Sequence, residues 1–106
     1  MKRLLASPDE SPPLAIGLLV LTLVVPGCRS LKDKRSVLLP LFNRIRRVFN
    51  VSIMEVGNRD ARDRAIIAVV GVNSEKAECN TTLLAIEHEV ESAEDVILSD
   101  FSVQFL

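Results

Sequence analysis

Two stretches of this chain, residues 14–25 and 65–72, are apolar at nearly every position. The first stretch has 12 residues, whereas a helix needs about 20 to cross a bilayer. It contains valine and threonine and ends at Pro26-Gly27, and these features favour a β-strand. A strand that is apolar on both faces is normally covered on both sides. We therefore predict that these two strands lie at the centre of one sheet.

The start of the chain imitates a lipoprotein signal peptide, because a basic beginning and an apolar run precede Cys28. Acidic residues and prolines within the first 13 positions interrupt the basic region that such a signal needs. We therefore interpret residues 1–13 as a flexible N-terminal extension. The single folded domain is predicted to span residues 14–106.

Residues 30–50 are predicted to form one amphipathic helix, with apolar side chains repeating at helical spacing. Ser30 occupies the N-cap position and Asp33 the position of a capping box. Pro40 lies opposite the apolar stripe, so we expect a kink rather than a break. A second helix is predicted from a cap at Ser74 to about Ser92, with its apolar stripe at Cys79, Leu83, Ile86 and Val90.

The remaining segments complete a βαββαβ order. Residues 51–56 form a strand, a polar loop follows through residue 63, and residues 95–106 form the last strand. The apolar phase of this strand changes at Ser99-Asp100, which indicates a β-bulge. Right-handed crossovers then predict a ferredoxin-like α+β fold, in which a four-stranded antiparallel sheet of order 4-1-3-2 carries two helices on one face.

The other face of this sheet has no layer to cover it. Val20, Thr22 and Val24 of the first strand would belong to an exposed apolar patch, which a soluble monomer rarely tolerates. We predict that the chain forms a homodimer through this face. The pattern leaves open whether the even-numbered or the odd-numbered residues of 65–72 point outward.

The net charge of −1 conceals two oppositely charged halves. Residues 28–64 carry ten basic and four acidic side chains, whereas residues 65–106 carry one basic and eight acidic side chains. Such a distribution favours an anionic partner on the basic side. The alternative is a solvated surface with complementary charges between subunits.

Several motifs between residues 26 and 65 stand out: PG at 26–27, RSLKDKRSV at 29–37, Pro40, FNVS at 49–52, EVG at 55–57, and Asp60 with Arg64-Ala65. Together they resemble the YlxP-like family, short bacterial proteins with a domain of unknown function, over about residues 15–106. The resemblance implies a cytosolic ferredoxin-like domain without an assigned activity. Relatives tend to be encoded near translation and ribosome-maturation factors, which favours RNA as a partner. They often carry a tryptophan at the position of Arg62.

No catalytic constellation is evident, and we expect no enzyme activity, cofactor or metal. His88 stands between two glutamates on the polar side of the second helix, where a solvated side chain is expected. Cys28 and Cys79 lack the spacing of a metal site and are expected to be reduced thiols in the cytoplasm. The four glycines are too scattered to form a phosphate-binding loop.

The leading functional hypothesis is a small binding protein that associates with RNA or the ribosome. Basic side chains of the first helix and the following loop would contact phosphates: Arg29, Lys32, Lys34, Arg35, Arg46, Arg59 and Arg62. The central strands carry no aromatic side chains for base stacking, so contacts to the backbone or the shape of RNA are expected.

Two other functions remain open, namely a protein-interaction or scaffold homodimer without a nucleic-acid role, and a dimer that binds small molecules. A further interpretation is that Asp60 pairs with Arg64 and that the helix charges only keep a face solvated.

Overall fold

The computed structural model describes residues 13–106. Its six elements are β1 (Ala15–Val24), α1 (Leu31–Val48), β2 (Val51–Gly57), β3 (Arg64–Asn73), α2 (Lys76–Glu91) and β4 (Ile97–Phe105). The strands form one antiparallel sheet in the order β2-β3-β1-β4. This order is the predicted 4-1-3-2 read from the opposite edge, so the predicted α+β fold is confirmed. The proposed N-terminal extension lies outside the described residues except for Pro13.

The core lies between the sheet and the two helices. Along β1 the odd-numbered side chains from Leu19 to Leu23 are fully buried, and the even-numbered ones are half-buried. β3 shows the same alternation, with Ala65, Ile67 and Val69 buried against α2. The even-numbered residues of β3 therefore point away from the helices, which answers the question that the pattern left open.

The first apolar run forms β1, an inner strand that pairs with both β3 and β4, and the second run forms the other inner strand, β3. α2 approaches this strand closely at Gly17. A Cβ atom there would lie 2.7 Å from Leu83 Cδ1 and 2.9 Å from Cys79 Sγ, so glycine permits the tight helix packing. Neither α1 nor α2, the helices of the described residues, is long and apolar enough to cross a membrane.

α1 begins with the predicted cap. The hydroxyl of Ser30 accepts a hydrogen bond from the backbone N–H of Asp33 at 3.0 Å. The Asp33 carboxylate in turn accepts one from the N–H of Arg29 at 2.9 Å, one residue before the cap. Pro40 is exposed and the helix continues through it, so the expectation that it would not break the helix is confirmed.

The predicted cap of α2 is wrong. The helix begins at Lys76 with Glu75 at the N-cap position, and Glu75 makes no capping bond through its side chain. The Oδ1 atom of Asn73 instead accepts the N–H of Glu75 at 2.9 Å. This bond turns the chain from β3 into the helix, as asparagine commonly does before a helix.

The predicted bulge in β4 is confirmed. Asp100 lies opposite Thr22, whereas Leu98 lies opposite Leu23, so Ser99 is the additional residue. Its hydroxyl donates to the carbonyl of Thr22 at 3.0 Å. The additional residue places Leu98, Val103 and Phe105 against the core on the same side of the sheet.

Candidate functional site

One charged side chain, that of Lys34, is buried on the core-facing side of α1. Lys34 is only 1% exposed, and its ammonium nitrogen lies 2.6 Å from Oε2 of Glu55 on β2. Burying an unpaired ammonium is costly, because it loses its hydration. Here backbone oxygens replace the water: the carbonyl oxygens of Asn58, Arg59, Arg64 and Ala61 lie within 3.4 Å of the ammonium nitrogen, and its N–H groups are shared among them and the carboxylate.

Three of these carbonyls belong to the loop between β2 and β3, and the fourth is that of Arg64, the first residue of β3. The loop is folded around the ammonium. Asn58 has a positive φ of 56°, and its carbonyl also accepts the N–H of Ala61 at 3.0 Å. The backbone therefore makes a tight turn with its oxygens directed at Lys34. Lys34 thus fastens the loop to the beginning of α1.

The turn brings side chains from the loop and the helix to one cavity of about 320 Å³. Arg59 and Asp60, the two central residues of the turn, are exposed and line this cavity together with Leu31 and Arg35 of α1. Lys34 and Glu55 also line it. In sequence the two arginines are separated by most of α1 and by the whole of β2, whereas the fold places them at one cavity.

We name the exposed cations at the start of α1 and in the loop between β2 and β3 the α1–loop basic surface; two of them, Arg35 and Arg59, line this cavity. Its members are exposed cations, and none of the ion pairs found within residues 13–106 involves them. The amino-terminal turn of α1 adds a partial positive charge, which Asp33 partly offsets. The members of the surface are Arg29, Lys32, Arg35, Arg59 and Arg62.

Lys34 and Arg46, which the sequence assigned to the same set, occupy different environments. Lys34 is buried and fully engaged, so it cannot contact a phosphate. Arg46 lies near the other end of α1, where its guanidinium donates to the carbonyl of Ile53 at 2.9 Å. It also donates to Asn43 and lies 5.8 Å from the ring centre of Phe42. Arg46 therefore binds the outer edge of β2.

The interpretation that Arg64 pairs with Asp60 is wrong, because the acidic partner of Arg64 is Asp63. Arg64 Nε lies 3.7 Å from the carboxylate of Asp63, and both side chains are more than half exposed. Such a pair contributes little to stability. None of the hydrogen bonds and ion pairs found within the described residues involves the carboxylate of Asp60.

The acidic half of the chain is concentrated on and beyond α2. Burial raises the pKa of Glu87 above its ordinary value, and a hydrogen bond and like charge from Glu91 raise the pKa further. His88 opposes these effects in part. Across the helix pair, Arg44 and Glu89 approach to 3.9 Å while half exposed. An anion would meet repulsion on this side and attraction at the α1–loop basic surface.

The sheet face away from the helices carries the predicted residues Val20, Thr22 and Val24. All three are half-buried and point outward. In one row of side chains across the sheet, Val20 stands between Ala68 and Ser102, and Met54 follows Ala68 on β2. The apolar area therefore covers β1, β3 and β2, and β4 contributes polar groups at one margin.

The other candidate residues of the sequence do not converge on a site. His88 is exposed in the last turn of α2. Cys28 is half-buried and Cys79 buried, and both are free thiols. Within residues 13–106 no three histidine, cysteine or carboxylate side chains are grouped as metal ligands would be.

Sequence reasoning missed the backbone carbonyls and the Glu55 carboxylate that surround the ammonium of Lys34, a group that we call the Lys34 cage. The signal was its position, because Lys34 follows Leu31 by three residues and precedes Leu38 by four, which places it on the apolar stripe. A lysine at such a position must either extend to the surface or find buried oxygens.

Comparison with known proteins gives a consistent result. Residues 16–103 match the model of a family described as a protein of unknown function, DUF503. The uncharacterized protein YlxP of Bacillus subtilis (strain 168) is 32% identical over 68 residues, which cover 64% of this chain and 74% of that protein.

Proposed function

The chain belongs to the YlxP-like DUF503 family, whose function is not established, and on this premise we propose that it is a non-enzymatic protein that binds RNA through the α1–loop basic surface. The binding would be to the sugar–phosphate backbone, since lysine and arginine side chains neutralise phosphates without reading base sequence. Two free thiols agree with a cytosolic setting, where RNA is also found.

The observation that carries this proposal is the juxtaposition of Arg35 and Arg59 at one cavity. Solvated surface charges have no need of a fixed arrangement. Here a buried ammonium holds the loop that presents Arg59 and Asp60, and a preorganised site loses less conformational entropy on binding. Three more exposed cations lie on the same helix start and loop, so a phosphate chain could contact several of them.

The arginines also have suitable chemistry. A guanidinium donates two parallel hydrogen bonds to a phosphate and keeps its charge at all physiological pH values. The acidic side chains on and beyond α2 would orient an approaching polyanion toward the basic side. The proposal does not include base stacking on the sheet, because the outward side chains of β1 and β3 are aliphatic or polar rather than aromatic.

The test is equilibrium binding of a fluorescein-labelled single-stranded RNA of mixed sequence, measured by anisotropy from about 50 mM to about 200 mM salt. We expect the logarithm of the binding constant to fall linearly with the logarithm of salt, with a slope of about −0.7 for each phosphate contact. Absence of binding at the lowest salt, or binding that ignores salt, would overturn the proposal.

A second proposal concerns the open sheet face, and it rests on the apolar row that Val20, Ala68 and Met54 form there. We propose that a second copy of this chain covers the face. Its apolar centre suits a like surface, and Asp100 and Arg64, which lie toward one end, carry opposite charges. Sedimentation equilibrium should give the mass of a dimer, and a monomer at high concentration would refute this arrangement.

A further inference from the structure

Arginines alone do not distinguish RNA from DNA, because both polymers carry the same phosphates. Two carboxylates line the cavity beside Arg35 and Arg59. That of Glu55 is neutralised by Lys34, whereas that of Asp60 has no ion-pair partner within residues 13–106 and opposes phosphate binding. It lies next to Arg59 in the turn and would repel a polyanion. Its presence at the cavity therefore suggests a specific donor on the ligand.

An ionised carboxylate only accepts hydrogen bonds. The donor closest to the phosphates of a nucleic-acid backbone is the 2′-hydroxyl of ribose, which DNA lacks. From this chemistry we infer that the cavity selects RNA over DNA, with Arg35 and Arg59 holding a phosphate and Asp60 accepting a hydrogen bond from the adjacent 2′-hydroxyl. This inference rests on the proposed RNA binding and names the backbone chemistry that the same site would recognise.

The environment of each group suits this role. Glu55, the other carboxylate of the cavity, is engaged by the ammonium of Lys34 at 2.6 Å and is only 18% exposed. Asp60 is exposed, and no ion pair within residues 13–106 engages it. Leu31 adds an apolar wall that a sugar ring could contact. The turn that presents Asp60 is itself held by the Lys34 cage.

The experiment compares three single-stranded oligonucleotides of one sequence: RNA, DNA, and RNA with 2′-O-methyl groups, which cannot donate. We expect the wild-type protein to bind RNA about threefold to tenfold more tightly than the other two, the equivalent of one net hydrogen bond. Equal affinity for RNA and DNA would overturn this inference alone. Failure to bind any of the three would overturn the proposed function with it.

Two substitutions separate charge from hydrogen bonding at the cavity. Asp60→Ala should tighten DNA binding by removing a repulsive charge and should abolish the preference for RNA. Asp60→Asn should also tighten DNA binding, but its amide oxygen still accepts a hydrogen bond, so a preference above that of the alanine variant should remain. Asp63→Ala is the matched control, because Asp63 is an exposed acid of the same loop that does not line the cavity. An Asp60→Ala protein with an unchanged preference would refute the assignment.

Discussion

The ammonium of Lys34 and the carboxylate of Glu55 lie 2.6 Å apart, at a point where α1, β2 and the loop before β3 meet. The lysine side chain is nearly excluded from water, and three carbonyls of the loop and that of Arg64 at the start of β3 surround its nitrogen. Removing one member of a buried pair leaves the other charge uncompensated. The two partners are not equivalent, because loss of Lys34 leaves the carboxylate and four backbone carbonyls without their donor, whereas loss of the Glu55 charge leaves an ammonium that the carbonyls still bind.

Replacing Lys34 by methionine should therefore lower the free energy of unfolding by about 3 to 5 kcal/mol. Replacing Glu55 by glutamine should cost less, since the carbonyls would still bind the ammonium. Urea unfolding of the two variants measures this order. Arg35→Met, one residue further along α1 and exposed, should stay within about 0.5 kcal/mol of the wild type. A Lys34→Met protein as stable as this control would contradict the cage.

The double variant Arg35→Glu/Arg59→Glu should weaken RNA binding by at least about tenfold, because each arginine would lose a charge-assisted hydrogen bond. The salt slope should become shallower by about 0.7 for each phosphate contact removed. Anisotropy titrations measure both quantities. Arg44→Glu/Arg47→Glu is the control, since both arginines are exposed on the later half of the same helix and the net charge changes equally. An equal loss there would show only a nonspecific effect of net charge.

Val20→Lys should dissociate the proposed homodimer. The substitution introduces a charge into the middle of the apolar row, beside Ala68 and Ser102, and a buried unpaired charge opposes association. Sedimentation velocity over a range of concentrations should show a monomer. Thr81→Lys, on the exposed side of α2, should leave the dimer intact. If both variants sediment like the wild type, the open face is not the interface.

Glu87→Gln should stabilise the protein at neutral pH by about 0.2 to 0.5 kcal/mol, because it removes a like-charge contact with Glu91 one helical turn away. The pKa of Glu87 is raised in the folded state, so the folded state binds the proton more tightly than the unfolded chain. Wild-type stability should therefore decline as pH rises from the ordinary glutamate pKa through the raised value.

The difference between this variant and the wild type should consequently vanish under acidic conditions, where Glu87 is protonated in both states. Thermal unfolding at a series of pH values measures it. Glu78→Gln makes the same chemical change in the first turn of α2, where a carboxylate favours the helix dipole, and should have the opposite sign at neutral pH. Equal effects of the two substitutions would contradict this account.

Arg46→Met should cost about 0.5 to 1.5 kcal/mol through the hydrogen bond to the carbonyl of Ile53. It should also free the outer edge of β2, which favours pairing between molecules. Urea unfolding and light scattering measure the two effects. Arg44→Met should change neither quantity by much, because its ion pair with Glu89 spans 3.9 Å between half-exposed side chains.

The fold could be predicted because its determinants are local and repeated. The alternation in β1 and β3, the apolar stripe of α1 and the cap at Ser30 all agree with one arrangement. The bulge at Ser99 could also be predicted, because the apolar side chains before it and after it are out of phase with each other. The cap of α2 was missed because Asn73 and Ser74 both have side chains that bind backbone N–H groups, and their order in sequence does not decide between them.

The candidate site could be predicted only in part. The expectation of a basic surface rests on the positive charges that the sequence shows at Arg29, Lys32, Arg35, Arg59 and Arg62. The role of Lys34 was hidden because most of its partners are backbone carbonyls, which every residue possesses. The proximity of Arg35 and Arg59 depends on the path of a loop, and sequence spacing contains no direct measure of that path.

The bulge in β4 has a consequence for insertions and deletions. Because Ser99 is the additional residue opposite Thr22 and Leu23, a chain without it would alternate regularly from Leu98 to Phe105. Deleting Ser102 instead would invert the segment that follows, turning Val103 and Phe105 outward. The strand can therefore be shortened by one residue at its irregular point, whereas the same loss three positions later would remove two side chains from the core.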